Sequence, residues 1–341
     1  MARLALACVV AHPEGGRRAR ELGRAIIANP DVAGSEADEI RAALEAHVPA
    51  VEGELSRIGW RFVTPGDPVF PPRLAAIADP PLGVFVRGTL PDGHAVALVG
   101  ARRASAYGRE VAEYLGRELA AAGVAVVSGM ARGVDAAAHR GALASGGPTA
   151  GVWGAGPDRV YPPENLSLSE EIAAHGCLVT EYPPGCAPLA HHFPERNRII
   201  AGLSEAVVVV EADERSGALI TARLALEEGR EVMAVPGSVF SRLSAGPNGL
   251  LRAGAAPVLT ADDVLGALGL PPRPVRLDAS EEPALLALVR PGEAVTVDRL
   301  AVESGLPVAQ VLEALLALEL AGQVSRQADG RYVRSHVGPD S

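Results

Sequence analysis

Lysine is absent: all 31 basic residues of this 341-residue chain are arginine. A P-loop lysine, a Schiff base to an aldehyde cofactor and an adenylated-lysine intermediate are therefore excluded on this chain. Cysteine is scarce. Cys8, Cys177 and Cys186 are widely spaced and form no Cys-x-x-Cys pair, so neither a disulfide framework nor a zinc knuckle is indicated. No apolar run reaches the roughly 18 residues that a membrane span needs. Arg, His, Pro and Glu soon interrupt the N-terminal LALACVVA, which is unlike a signal peptide, and a cytoplasmic protein is expected. A surplus of positive charge is also missing, since the net charge is −10. Affinity for nucleic acid comes from neutralised phosphates, so any binding must rest on a local arginine cluster.

What is present reads as several modules. Residues 1–60 hold RRARELGRAIIA and ADEIRAALEAHV, whose apolar residues recur at three and four; a small helical N-terminal domain is expected. Residues 61–93 are rich in Pro and Gly with short apolar runs, which predicts an extended connection packed on the next domain. From His94 the runs AVALV, VAVV, TAGVW, CLVT, AVVVV and EVMAV alternate with helix-period segments such as GREVAEYLGRELAAAG. Continuous apolar strands alternating with helices predict an α/β domain with a parallel sheet covered on both faces, over residues 94–265. After Pro271-Pro272-Arg273-Pro274, residues 275–336 read as three helices and a hairpin, the order of a winged-helix domain.

Ligands of a doubly wound sheet bind outside the carboxyl ends of its strands. After AVALV stand Gly100, Arg102, Arg103 and Ser105, with no acid from Ala95 to Arg109, a setting that favours an anion, although a solvated turn would look similar. After VAVV come Ser128, Gly129 and Arg132, suited to close approach of a phosphate. After CLVT, His191, His192 and Phe193 precede Arg196, Asn197 and Arg198. An aromatic face that stacks bases beside charges that hold phosphates is what a single-strand binder needs; alternatively, Phe193 anchors the loop. After AVVVV, Ser216 and Gly217 open a helix that carries Thr221, where capping alone would also explain the serine.

Ser128, Asp135 and His139 do not make a hydrolase triad, because Val126 stands where a nucleophile elbow has Gly and Asp135 and His139 share one helix. Gly100-Ala-Arg102 breaks the dinucleotide fingerprint. The adjacent histidines lack a third ligand. No cofactor, metal or catalytic activity is expected.

The segments VGARRASAYGRE, VVSGMARGVDAAAHRGAL, GAGPDRVYPPEN, HHFPERNRIIAGLS, VVVVEADERSGALITARLALEEGREVMAVPG and SAGPNGLLRAGA together resemble the DprA/Smf family of DNA-processing proteins, in order through roughly residues 60–262. The resemblance implies an extended Rossmann-like fold and a homodimer. It also implies a protein that protects incoming single-stranded DNA and loads a RecA-type recombinase during natural transformation, with single-strand-binding protein as a further partner. The family motifs fall on Arg102, Ser128, Gly129, Phe193, Arg196, Asn197 and Arg198, giving the arginines phosphate contacts and Phe193 a stacking role. Ala190 departs from the basic residue that family members often carry there. From Val275 onward six arginines face ten acids, a balance that suits a protein partner better than duplex DNA. Two other readings stay open. One is a phosphoribohydrolase-like enzyme, although Leu224 stands where its glutamate would be; the other is a pure adaptor acting through the C-terminal module.

Overall fold

The computed structural model describes residues 1–29, 34–272, 282–290, 293–320, 322–327 and 329–334. It divides into two compact units, Met1–Pro271 and Pro272–Ser341.

The first unit begins with four helices: α1 (Ala2–Ala11), α2 (Arg17–Ala28), α3 (Ser35–Ala46) and α4 (Val48–Ile58). They do not stand apart as a separate small domain. Leu6, Ile26, Ile40 and Leu55 share one core with Met130, Trp153, Ile172 and Leu178, and Trp60 packs on Trp153 with ring centroids 5.4 Å apart. Helices this short are marginal alone, and here the shared core fixes them.

Residues 61–93 are more than a connection. They form β1 (Arg61–Val63), the one-turn helix α5 (Pro72–Ala75) and β2 (Val84–Gly88). β2 pairs antiparallel with the sheet, Phe85 opposite Thr180 and Val86 opposite Val179, and β1 pairs antiparallel with β2. The frequent prolines hide the strand pattern because they interrupt any long period.

The six apolar runs form β3 (Ala95–Val99), β4 (Ala125–Ser128), β5 (Thr149–Val152), β6 (Cys177–Thr180), β7 (Ala206–Val209) and β8 (Glu231–Ala234). Between them lie α6 (Ala106–Ala121), α7 (Val134–Ala144), α8 (Leu166–His175), α9 (His192–Leu203) and α10 (Gly217–Glu227). Then follow α11 (Ala245–Arg252), the short strand β9 (Ala256–Pro257), which the sequence reading lacked, and α12 (Ala261–Ala267). The sheet has nine strands in the order β1-β2-β6-β5-β4-β3-β7-β8-β9, and every pair from β6 to β9 is parallel. The order runs outward in both directions from β3, so helices cover both faces. One face buries Ala97, Val127, Ile199 and Ala222, the other Leu98, Val126, Leu115 and Ala138. This double burial explains why β3 and β7 are apolar at every position.

In the second unit α13 (Glu282–Leu288), α14 (Val297–Ser304) and α15 (Val308–Leu320) precede a hairpin of β10 (Val324–Arg326) and β11 (Tyr332–Arg334). Leu285, Leu300, Leu315 and Tyr332 are among the residues of its core, and Val295 bridges to Tyr332. This is the helix-rich, hairpin-closed arrangement expected of a winged helix; the expected stretches 275–281 and 335–336 lie outside the described residues. Among the described residues no single helix is long and apolar enough to cross a membrane.

Candidate nucleic-acid interface

β3 lies between β4 and β7, and the chain leaves β3 in one direction and β7 in the other. Loops at such a switch point diverge and leave a crevice. Here the crevice is a pocket of about 360 Å³. Gly100 and Arg102 come to it from the loop after β3, Asp135 from α7, Ala190, Phe193, Arg196 and Asn197 from in and around α9, and Ser216, Gly217 and Thr221 from α10.

The loop after β3 is held from below. Glu211 accepts hydrogen bonds from the Ser105 N–H (2.9 Å) and hydroxyl (2.6 Å), and its carbonyl accepts the Ala101 N–H (2.7 Å). Ser105 also caps α6 by accepting the Gly108 N–H at 3.0 Å, which adds the usual stabilisation of a helix start. Exposed Arg102 is thereby aimed over the Phe193 ring, its guanidinium carbon 5.0 Å from the centroid. Arg196 lies 5.9 Å from the same centroid, and Tyr161 packs on Phe193 with centroids 5.4 Å apart. The result is an aromatic floor flanked by two cations.

Arg196 is only 4 % exposed. It donates to the Gly129 carbonyl at 2.7 Å and to the Val152 carbonyl, so it braces two strand ends as well as charging the pocket. Burial lowers its pKa to about 10, opposed by the negative charge of Asp135. Asp135 accepts the N–H groups of Gly129 (3.1 Å) and Ala131 (3.3 Å); burial raises its pKa while Arg196 pulls it down. Between Gly129 and Ala131, Met130 takes φ 57°, a strained value for a non-glycine residue. The Asn165 side chain holds it in place by donating to its carbonyl at 2.8 Å.

On the far wall Asn197 donates to the Gly217 carbonyl at 3.3 Å, and Ser216 caps α10 by accepting the Ala218 N–H at 3.3 Å. The N-terminus of α10 therefore faces the same space as Arg102 and Arg196, a setting that favours an anion. Ala190 lines the pocket and adds no charge to its wall.

Gly100, Arg102, Phe193, Arg196, Asn197, Ser216 and Gly217 thus meet, and six expected residues do not line the pocket. Arg198 is the clearest correction. It is 7 % exposed, ion-paired with Glu181, and donates to the Asp79 carbonyl at 2.9 Å. Two residues apart on a helix point about 200° apart, so Arg198 faces away from the pocket that Arg196 faces. It joins Arg20, which lies 2.5 Å from the Asp79 carboxylate and 3.6 Å from Glu181. Ser128 is fully buried and donates to the Leu98 carbonyl at 2.6 Å, so it offers nothing to a phosphate. Gly129 acts through its backbone: a Cβ there would collide with the Arg196 guanidinium. His192 is buried, stacked on Tyr182 at 3.9 Å and 3.3 Å from the Gly154 carbonyl. Burial, and then His191, lower its pKa. Arg132 is exposed and paired with Glu164, and Arg103 is exposed.

Sequence reasoning missed Tyr161 and undervalued Asp135. Tyr161 stands in the GAGPDRVYPPEN segment, where an aromatic before Pro-Pro was the available signal. Among the described residues no group of three His, Cys, Asp or Glu could hold a metal ion.

Comparison with known proteins follows the same outline. The sequence model for DNA recombination-mediator protein A matches residues 61–269, and that for the DprA winged helix domain matches residues 270–330. A putative DNA processing protein DprA of Mycobacterium tuberculosis is 45 % identical over 307 residues, covering 82 % of this chain and 78 % of that protein. Protein Smf of Escherichia coli is 42 % identical over 282 residues, covering 78 % and 75 %. The X-ray structure of DprA from Streptococcus pneumoniae superposes with a TM-score of 0.65 at 34 % identity, over 78 % of this chain and 98 % of that one. A structure describing the single-stranded DNA binding mode of DprA from Helicobacter pylori gives a TM-score of 0.55 at 30 % identity, over 62 % and 97 %. With its central domain and its C-terminal module both matched, the chain belongs to the DNA recombination-mediator protein A family.

Proposed function

We propose that this chain binds single-stranded DNA in the pocket between β3 and β7 and acts, without catalytic turnover, as a mediator that protects incoming DNA and loads a RecA-type recombinase during natural transformation. The observation that carries the reading is the stack of Arg102 over Phe193, with Arg196 and Tyr161 against the same ring. Its faces suit any base, and its charges suit the phosphates between bases. The switch-point position of the pocket supports an extended Rossmann-like reading of the sheet. The Helicobacter pylori relative, whose structure concerns single-stranded DNA binding, supports the ligand.

The same reading assigns the protein to the cytoplasm as a homodimer, with single-strand-binding protein as a neighbour on the strand. The acidic C-terminal unit, with six arginines against ten acids from Val275, suits a protein partner in this scheme. A labelled oligothymidine and a duplex of equal length, compared by fluorescence anisotropy, test the proposal. The parent chain prefers the single strand, and Arg102→Ala with Phe193→Ala weakens it by roughly 10–100-fold. Undiminished binding by the double variant overturns the site.

A further inference from the structure

Beyond the pocket the same edge of the sheet carries an apolar protrusion. In the loop 236–241 that follows β8, Val239 is 83 % exposed and Phe240 96 %. Such side chains ordinarily gain from burial, and these two are left in water. Exposed Tyr107, in the first turn of α6, donates its hydroxyl to the Pro236 carbonyl at 3.1 Å, so a second aromatic stands at the base of this loop.

The segment just after the loop is fastened to the stretch that leads into the pocket wall. The Ala212 N–H donates to the Leu243 carbonyl at 2.7 Å, and the Gly246 N–H to the Ala212 carbonyl at 2.8 Å. Arg242 lies 3.3 Å from the Asp213 carboxylate, which also accepts the Arg215 N–H at 3.0 Å. Residue 213 begins the short stretch that ends at Ser216 on the pocket wall. On the other flank Arg103 adjoins Arg102. Among the described residues the exposed side chains of Arg103 and Arg215 make no ion pair. Exposed Glu110 and Glu214 are the nearest acids in sequence.

We infer that Phe240 and Tyr107, with Arg103, Arg215 and Arg242, form a second stretch of track that carries the single strand onward as it leaves the pocket. The inference rests on the single-strand reading above and extends it to residues that reading does not use. Exposed aromatics interleaved with arginines match alternating bases and phosphates. A protein partner would have to bring carboxylates for Arg103 and Arg215, whereas a strand brings a phosphate with every nucleotide.

The test uses the full chain and two oligothymidines, one of about 5 nucleotides that fills the pocket and one of about 20 that overruns it. The parent binds the longer more tightly. Phe240→Ala matches the parent on the short oligomer and is about tenfold weaker on the long one. In Phe240→Trp the long oligomer quenches the new indole and the short one does not. Arg102→Ala weakens both lengths and so reports on the pocket separately. If the parent binds neither oligomer, the pocket reading itself fails. If the parent binds both and Phe240→Ala equals it at both lengths, the track is wrong while the pocket stands. A loss on the long oligomer accompanied by a fall in sedimenting mass also overturns the track, assigning the protrusion to self-association.

Discussion

Arg102 and Arg196 touch the same aromatic ring, yet their removal should fail in different ways. Arg196 is buried and braces the Gly129 and Val152 carbonyls beside the buried Asp135 carboxylate. In Arg196→Ala those carbonyls lose their donor and Asp135 loses its countercharge. Leaving a buried charge uncompensated costs about 3–5 kcal/mol. For a unit of this size each kcal/mol moves the melting temperature by roughly 2–4 °C, so a fall of about 6–20 °C is expected. Arg102 is exposed and gives up only a cation–π contact of about 0.5–1 kcal/mol, so Arg102→Ala should melt within roughly 4 °C of the parent. Its loss appears instead on the strand: the slope of log K against log salt becomes shallower by about 0.7 for each phosphate released. Circular-dichroism melts and anisotropy titrations at several salt concentrations read both effects. Equal melting temperatures for the two variants would refute this division of labour, as would an unchanged salt slope in Arg102→Ala.

Further outcomes follow from the same geometry. Glu181→Ala strips Arg198 and Arg20 of a shared partner and is expected to lower stability by roughly 3–5 kcal/mol in urea unfolding while the pocket residues stay in place; a neutral result would contradict the ion network. His139 is fully buried, and burial lowers its pKa from 6.5 to about 3. Between these values the unfolded chain binds a proton that the native one does not, so this group favours unfolding progressively as pH falls from 6.5 toward 3. His139→Gln is expected to flatten that part of the stability profile relative to the parent, and parallel profiles would argue against it. Burial also pushes the Cys8 thiol up to about 11 and the Cys177 thiol up to about 12. Native protein at pH 8 should therefore resist iodoacetamide at both positions until urea is added, as judged by mass spectrometry. Removing residues 272–341 is expected to leave oligothymidine affinity within about twofold, since the pocket lies wholly in the first unit.

How much of this was legible in the sequence turns on particular residues. The runs AVALV and AVVVV announce β3 and β7 because strands buried on both faces need no polar alternation. The two strands between residues 61 and 88 carry the same apolar residues, but prolines and glycines break them into pieces too short to show a period. Arg198 misled for a specific reason. In sequence Arg196 and Arg198 stand in one cluster beside Phe193, but α9 begins at His192 and holds Pro194 in its first turn, where proline is tolerated. Once the helix is known, the two-residue spacing separates Arg196 from Arg198. Ser128 looked like a ligand because a strand-end serine beside glycine fits a phosphate; only the depth of the strand shows that its hydroxyl belongs to Leu98. Tyr161, the aromatic before Pro162-Pro163, was visible as a candidate, but its packing on Phe193, 32 residues away, only the fold shows.

The most direct measurement is photocross-linking of a 5-iodouridine-substituted oligothymidine to the intact chain, followed by peptide mapping. The account predicts attachment at Phe193 or Tyr161. Attachment confined to residues 272–341, with none at the pocket, would contradict it.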